Sequence, residues 1–226
     1  MSKLFIVATP IGNLQDITLR ALHTLKESDF ILCEDTRVTK KLLNHYEIDT
    51  PTISYHHHSS DKKTEEILQL LKEGKTLSLA TDAGTPGISD PGNELIATLL
   101  EDLGDKLSVA PIPGPSALTA AASISAMPMN EFIFLGYPPK KRKRKKFFER
   151  VVSSDIPVIL YESVHRIIKT LEEIEQIAKD KYDVMVAREI TKQFESIYRG
   201  TFEEVLEQLQ KDKVKGEFVI ILREVK

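Results

Sequence analysis

The side chains best equipped for acid–base chemistry stand at the ends of short apolar runs. "CEDTR" sets Glu34, Asp35 and Arg37 directly after "FIL", "LYESVHR" sets Glu162 and His165 after "VIL", and "VAREITK" sets Arg188 and Glu189 after "DVM". A positioned carboxylate can take a proton in a transfer step, for a gain of roughly 10²–10⁴-fold. A guanidinium can hold phosphate through paired N–H groups. Glu34, Asp35, Arg37, Glu162, Arg188 and Glu189 are therefore the candidate catalytic residues, with the base open among the four carboxylates. The same residues also suit structural ion pairs, and Ser163 suits a helix N-cap.

Other chemistries lack their residues. "GKT" at Gly74–Thr76 has Gln69 where a phosphate loop needs its first glycine, and its lysine precedes a strand instead of opening a helix. No G-x-G-x-x-G follows the first apolar run, and there is neither an H-E-x-x-H nor a paired-cysteine spacing. Cys33, the single cysteine, reads as a small buried hydrophobe in a reducing compartment. In "HHH", His56–His58, neighbours on a strand would point to opposite faces, so the three do not converge on one ion; we read a polar strand end or loop, with His56 and His58 as a chelating pair the alternative. No metal is expected.

A different chemistry is written into "PPKKRKRKKFFER". Lys140, Lys141, Arg142, Lys143, Arg144, Lys145 and Lys146 form an unbroken cationic run in a chain of formal net charge -3. Cations at a helix N-terminus oppose the macrodipole, so helix stability does not explain the run. The run suits a solvated helix end, a targeting signal or a clamp for the phosphates of an anionic polymer such as RNA; we favour the clamp, which contributes affinity without sequence information.

These side chains need a scaffold. Apolar runs such as "KLFIVA", "DFILCE", "TPTISYH", "KTLSLAT" and "LSVAPIP" alternate with stretches of helical periodicity. Ile17, Ala21, Leu22 and Leu25 mark one helix, Leu42 and Leu43 a second, and Ile67, Leu70 and Leu71 a third with Ser60 as its cap. Leu95, Ile96, Leu99, Leu100 and Leu103 mark a fourth, with Asp90 as N-cap and Pro91 at its first position. Alternation of this kind predicts a mostly parallel sheet with helices on both faces. Ligands in such sheets bind beyond the carboxyl ends of the strands. That rule selects three Gly/Pro loops: Thr9–Asn13, Thr81–Asp90 and Pro111–Ser116.

After residue 115 the pattern changes. The remaining strands, "EFIFLGY", "PVILYE", "YDVMVARE", "FESIYRG" and "EFVIILRE", predict a mixed sheet, and Thr201 with Glu204 forms a capping box before a Phe202, Val205, Leu206, Leu209 stripe. We expect two α/β domains, residues 1–115 and 116–226. With 41% hydrophobic and 29% charged residues the composition is globular. No apolar run nears the ~20 residues of a membrane helix, and Leu4–Ala8 is too short for a secretory core, so a cytoplasmic protein is expected.

"ATPIGNLQDIT", "CEDTR", "DAGTPGISDPG", "PIPGPSA", "LYESVHR" and "ARE" occur in that order along nearly the entire chain. In this series the chain resembles the tetrapyrrole-methylase superfamily, and within it the branch that methylates small-subunit ribosomal RNA. The D-A-G-T-P of residues 82–86 is similar to that branch and differs from the G-D-P-like loop common elsewhere in the superfamily. The resemblance implies S-adenosylmethionine as cofactor, held between two α/β domains, and a homodimer. It implies 2′-O-methylation of a decoding-centre cytidine in 16S rRNA, with the assembled 30S subunit as the expected partner. Carried over by position, it places the cofactor against Pro10, Asp82, Ala83, Gly84, Thr85, Ile88, Ser116, Ala117, Tyr161, Arg188 and Gly216. Two alternatives share these features: a corrin or porphyrin methyltransferase, and a non-catalytic RNA-binding protein of ribosome assembly.

Overall fold

The computed structural model describes residues 2–56, 59–178 and 181–225. The chain forms two compact units, Met1–Ser116 and Ala117–Lys226.

The first unit is built on β1 (Ser2–Val7), β2 (Phe30–Cys33), β3 (Thr52–Ser54), β4 (Thr76–Ala80) and β5 (Leu107–Ile112). All pair in parallel, in the order β3-β2-β4-β1-β5. The helices between them are α1 (Leu19–Glu27), α2 (Thr36–His45), α3 (Asp61–Lys72) and α4 (Asn93–Leu103). The strands alternate between two buried faces: Leu4, Leu32 and Leu79 join one core with α3 and α4, while Val7, Ile31 and Ala80 join another with α1 and α2. Burial on both faces is why these strands are apolar throughout. Pro111, which has no N–H, is accommodated because β5 is an edge strand.

Strands β1 and β4 are neighbours, yet their onward connections diverge, β1 toward β2 and β4 toward β5. The crevice beyond their carboxyl ends is the topological switch point where ligands of open α/β sheets bind.

The second unit holds α5 (Ala117–Ser123), β6 (Ile133–Phe134), α6 (Arg144–Val152), β7 (Val158–Ser163), α7 (Ile167–Glu175), β8 (Tyr182–Arg188), β9 (Ser196–Gly200), α8 (Phe202–Lys211) and β10 (Glu217–Glu224). Its sheet has the order β6-β7-β10-β8-β9; β6 and β7 are parallel and the other pairs antiparallel. The sheet is mixed, and β8 and β9 form the hairpin expected of "FESIYRG". Phe218, Ile220 and Leu222 of β10 face a core made with α6, α7 and α8, and Val219 and Ile221 face Ala121 of α5. The Thr201–Glu204 capping box is present at the start of α8.

Three local expectations are corrected. Helix α4 begins at Asn93 with Gly92 as N-cap, because Gly92 turns away at φ 143°; Asp90 and Pro91 lie in the preceding loop. Ser163 ends β7 and caps no helix, since Arg166 holds the N-cap position of α7. Of the cationic run, only Arg144, Lys145 and Lys146 enter α6; Lys143 is its N-cap in left-handed conformation at φ 66°.

Candidate active site

The three Gly/Pro loops of the first unit converge at its switch point. Thr9 and Gly84 form an antiparallel bridge, with Thr9 N–H to Gly84 O at 2.9 Å and Gly84 N–H to Thr9 O at 3.1 Å. The Thr9 hydroxyl donates to Thr81 O at 2.9 Å. Ala8 N–H donates to Ile112 O at 3.2 Å, and the Thr85 hydroxyl to Pro115 O at 3.4 Å. Gly84 sits at φ +84°, a conformation that costs a glycine little and other residues more. Pro10 is buried beneath this knot, Ala83 and Ile88 are exposed, and Ser116 is half-buried. The Thr81 hydroxyl is buried without a hydrogen-bond partner among the described residues. Buried hydroxyls are ordinarily bonded, so this one suits a ligand's polar group. Thr9 and Thr81 were not singled out from sequence; their position at the ends of β1 and β4 was the available signal.

Beside the knot, the Asp35 N–H donates to Asp82 Oδ1 at 3.1 Å, joining the β2 and β4 loops. Asp35 is also the N-cap of α2: its Oδ1 accepts Arg37 N–H at 2.8 Å and Arg37 Nε at 3.0 Å, and its Oδ2 accepts Arg37 Nη2 at 2.7 Å. The Arg37 guanidinium holds the Asp35 carboxyl down at about 2. A carboxylate so engaged is a poor proton acceptor near neutral pH. The Arg37 side chain is otherwise open to solvent, and Glu34, half-buried at the end of β2, has no hydrogen-bonded or ionic partner among the described residues.

In the second unit the strand-end residues serve largely as framework. Glu162 is fully buried. Its Oε1 accepts Ser163 N–H at 2.7 Å and pairs with Arg166 Nη2 at 2.8 Å, and its Oε2 accepts the Thr170 hydroxyl at 2.7 Å. Both carboxylate oxygens are engaged within the unit, and the fully buried group is not exposed to a substrate. Arg188, also buried, donates from Nε to Lys215 O at 2.9 Å and from Nη1 to Asp212 Oδ2 at 2.8 Å. Tyr198 donates to the same Asp212 oxygen at 2.5 Å. Arg188 thus anchors the turn before β10 and does not present its guanidinium to a phosphate. Asp212 and Tyr198 were missed in the sequence because nothing local marks partners so far apart along the chain.

Glu189 adopts φ 49° and places Oε1 within 3.0 Å of Glu217 N–H and 2.9 Å of Lys192 Nζ. Burial alone would push its carboxyl up; the hydrogen bonds from Lys192 and Glu217 outweigh that and hold it below its ordinary value. Gly216, at φ +90°, lies directly beneath the Glu189 side chain. Tyr161 is half-buried, with its ring edge-on to Phe134 at 4.8 Å, and its Oη accepts the N–H of Leu118, next to Ala117 in the first turn of α5. One N-terminal N–H of that helix is therefore occupied. His165 is exposed.

Arg144 departs from the rest of the cationic run. It is buried, with Nε on Glu173 Oε2 at 2.5 Å, Nη1 on Pro139 O at 3.0 Å, Nη2 on the Thr170 hydroxyl at 2.7 Å and its guanidinium carbon 4.6 Å from the centre of the Phe148 ring. Its expected contact with RNA is withdrawn for that reason. Lys140, Lys141, Arg142, Lys143, Lys145 and Lys146 are exposed.

His57 and His58 lie outside the described residues, which leaves the histidine pair undescribed. Among the described residues no group of three or more His, Cys, Asp or Glu side chains is disposed to hold a metal ion, and no helix is long and apolar enough to cross a membrane.

A family model for tetrapyrrole (corrin/porphyrin) methylases matches residues 3–206. The chain belongs to the tetrapyrrole methylase family. It is 43% identical, over 98% of both chains, to a protein of Thermotoga maritima named ribosomal RNA small subunit methyltransferase I. A protein of the same name from Hydrogenobaculum sp. is 45% identical over 97% of this chain and 95% of its own. Among solved structures, a uroporphyrin-III C-methyl transferase from Thermus thermophilus in complex with S-adenosyl homocysteine superposes with a TM-score of 0.66 at 18% identity, covering 98% of this chain and 97% of that one. That likeness is one of fold. Tetrapyrrole methylase membership accounts for the two α/β units and for the ordered series of loop motifs.

Proposed function

We propose that the chain transfers the methyl group of S-adenosylmethionine to the ribose 2′-oxygen of a decoding-centre cytidine in 16S rRNA. The observation that carries this reading is the name of the relatives at 43% and 45% identity, small-subunit rRNA methyltransferases matched almost end to end. The porphyrin enzyme shares 18%, which supports a common architecture and leaves a porphyrin substrate without support.

The cofactor would meet Pro10, Asp82, Ala83, Gly84, Thr85, Ile88 and Ser116 at the switch-point loops, and Ala117, Tyr161 and Gly216 are further proposed contacts. The residues present fit such a group: the buried Thr81 hydroxyl has no hydrogen-bond partner among the described residues, and Gly84 takes a φ of +84° beside it. When bound, the cofactor supplies an electrophilic methyl on a sulfonium centre. The chain's own task is to hold the ribose oxygen in line with that methyl, and orientation alone is worth about 7–11 kcal/mol. The Thr9–Gly84 bridge suits this task, because it makes two of the binding loops one rigid piece.

The hydroxyl proton needs an acceptor. Asp35 is tied to Arg37, Glu162 is buried in hydrogen bonds and Glu189 is paired with Lys192. Of the four candidates Glu34 alone has no partner among the described residues, and we assign it the proton. Arg37, exposed and paired with Asp35, would meet an RNA phosphate with its remaining N–H groups. The six exposed cations of the basic run would hold the backbone of the same RNA. We further propose a cytoplasmic homodimer acting on the assembled 30S subunit.

The test is transfer of labelled methyl to purified 30S subunits and to free 16S rRNA, followed by mapping of the modified nucleotide. Label on a decoding-centre ribose is expected. Label on a base, on a precorrin, or on none of these substrates would overturn the reading.

A further inference from the structure

The basic run does not act as a line of charge. An open depression of about 430 Å³ lies between α6 and α7, with Lys140, Lys141 and Lys145 on one side and Lys169, Glu173 and Gln176 on the other. Arg144 and Phe148 form its floor. Lys169 comes from a different helix, and its side chain is 72% exposed.

The electrostatics of this place are unbalanced. Helix α6 has no acidic residue in its first turn, where the macrodipole already carries a positive partial charge. Lys140, Lys141, Arg142, Lys143, Lys145 and Lys146 add six cations there. Glu173 is the one carboxylate among the lining residues, and Arg144 has taken it at 2.5 Å. Lys169 reaches Glu173 only at 3.7 Å, so its charge is left largely unneutralised. Like charges gathered on a positive helix end repel one another, and the one carboxylate that lines the depression, Glu173, is shared with Arg144. An anion seated between the lysines would relieve that repulsion.

The depression is of the size that takes a nucleotide-sized ligand, at the small end of the roughly 300–1,000 Å³ range. The floor is closed to a base: the Phe148 ring is 1% exposed and covered by the Arg144 guanidinium. What remains accessible is ammonium groups, which bind phosphate as point charges and read no sequence.

We propose that the depression between α6 and α7 is a phosphodiester subsite for the RNA substrate, with Lys169 as a member alongside Lys140, Lys141 and Lys145. This rests on the rRNA reading above and deepens it: the RNA path runs across two helices and leaves Arg144 out.

The experiment measures the affinity of the full chain for 16S rRNA across a salt series, with S-adenosylmethionine binding followed by calorimetry in parallel. For Lys169→Ala the slope of log affinity against log salt is expected to shrink by about 0.7–0.9, one phosphate contact. Lys169→Arg should restore the slope. Lys211→Ala, which removes an exposed cation paired with Glu207 on α8, should leave it unchanged. Cofactor affinity should be the same in all four proteins. An unaltered slope in Lys169→Ala, while the native protein still methylates 30S subunits, overturns this subsite and spares the rRNA reading. A native protein that binds no RNA overturns both.

Discussion

The Glu189 carboxylate lies across the backbone of Gly216: a methyl group at Gly216 would fall 2.2 Å from Glu189 Cδ. One residue was read as a possible base and the other as a cofactor contact, yet each holds the other in place. Glu189 Oε1 accepts the N–H of Glu217, which follows Gly216 in the chain. Both residues are in the left-handed region, at φ 49° and φ 90°. Backbone conformations of this kind cost of order 1–3 kcal/mol for a non-glycine residue such as Glu189 and persist where the surroundings impose them.

Gly216→Ala should therefore destabilise the protein by about 1–3 kcal/mol, through the clash and through the positive φ. Adding Glu189→Ala should relieve the clash and leave the φ penalty. A double-mutant cycle by denaturant unfolding is expected to show coupling of about 0.5 kcal/mol or more; additive single effects would mean that the side chain simply swings aside.

Two glutamates at strand ends should behave oppositely. Glu34→Gln is expected to lower kcat by about 10²–10⁴-fold with little change in stability or cofactor affinity. Glu162→Gln removes the buried charge opposite half-buried Arg166 and should cost up to roughly 3–5 kcal/mol, while kcat per folded molecule stays near native. Unfolding curves and single-turnover methylation, measured on the same preparations, separate the two. A fully active Glu34→Gln would mean that solvent takes the proton.

Asp35 makes a prediction about acid. Its folded value of about 2 lies below the ordinary 3.8, so on acidification the unfolded chain takes up the proton first. The contribution of Asp35 is complete above about pH 4 and is lost as pH falls through about 2. Thermal melts across this window should show Asp35→Asn losing less stability on acidification than the native protein.

Removal of Arg144 should look unlike removal of its neighbours. Arg144→Ala takes one partner each from Glu173 and Thr170 and uncovers the Phe148 ring, for an expected loss of about 1–3 kcal/mol. The salt slope of RNA binding should not change below the melting temperature. Neutralising Lys140, Lys141, Arg142 and Lys143 together should reverse the pattern, with a lower slope and affinity, an unchanged melting temperature and intact cofactor binding.

Much of the fold was legible because burial periodicity is a local property. The Leu95, Leu99 and Leu103 stripe became the buried face of α4, and the Thr201–Glu204 box became the start of α8. The switch-point loops were legible because glycines and prolines after parallel strands have few other uses. The role of Arg144 was harder to read. Arg144, Phe148 and Val151 are the buried residues of α6, at i, i+4 and i+7, so the arginine occupies a core-facing position inside a charged run. Charge dominated the sequence reading, and the left-handed Lys143 that sets this phase has no signature of its own. Arg188 was misplaced for a related reason: its partners, Asp212 and Lys215, lie across an intervening helix.

The strand order of the first unit also bears on its biogenesis. Strand β1 is flanked by β4 and β5, and each register joins it to residues far downstream, Val7 to Ala80 and to Ile112. During synthesis β1 must remain unpaired until both have emerged, a wait of several seconds or more at about 5–20 residues per second. Over that interval an apolar segment, Leu4–Val7, is exposed on the nascent chain with no native neighbour. Pairing of β1 cannot be completed before translation has passed β5, and "KLFIVA" is where a ribosome-associated chaperone would be needed first.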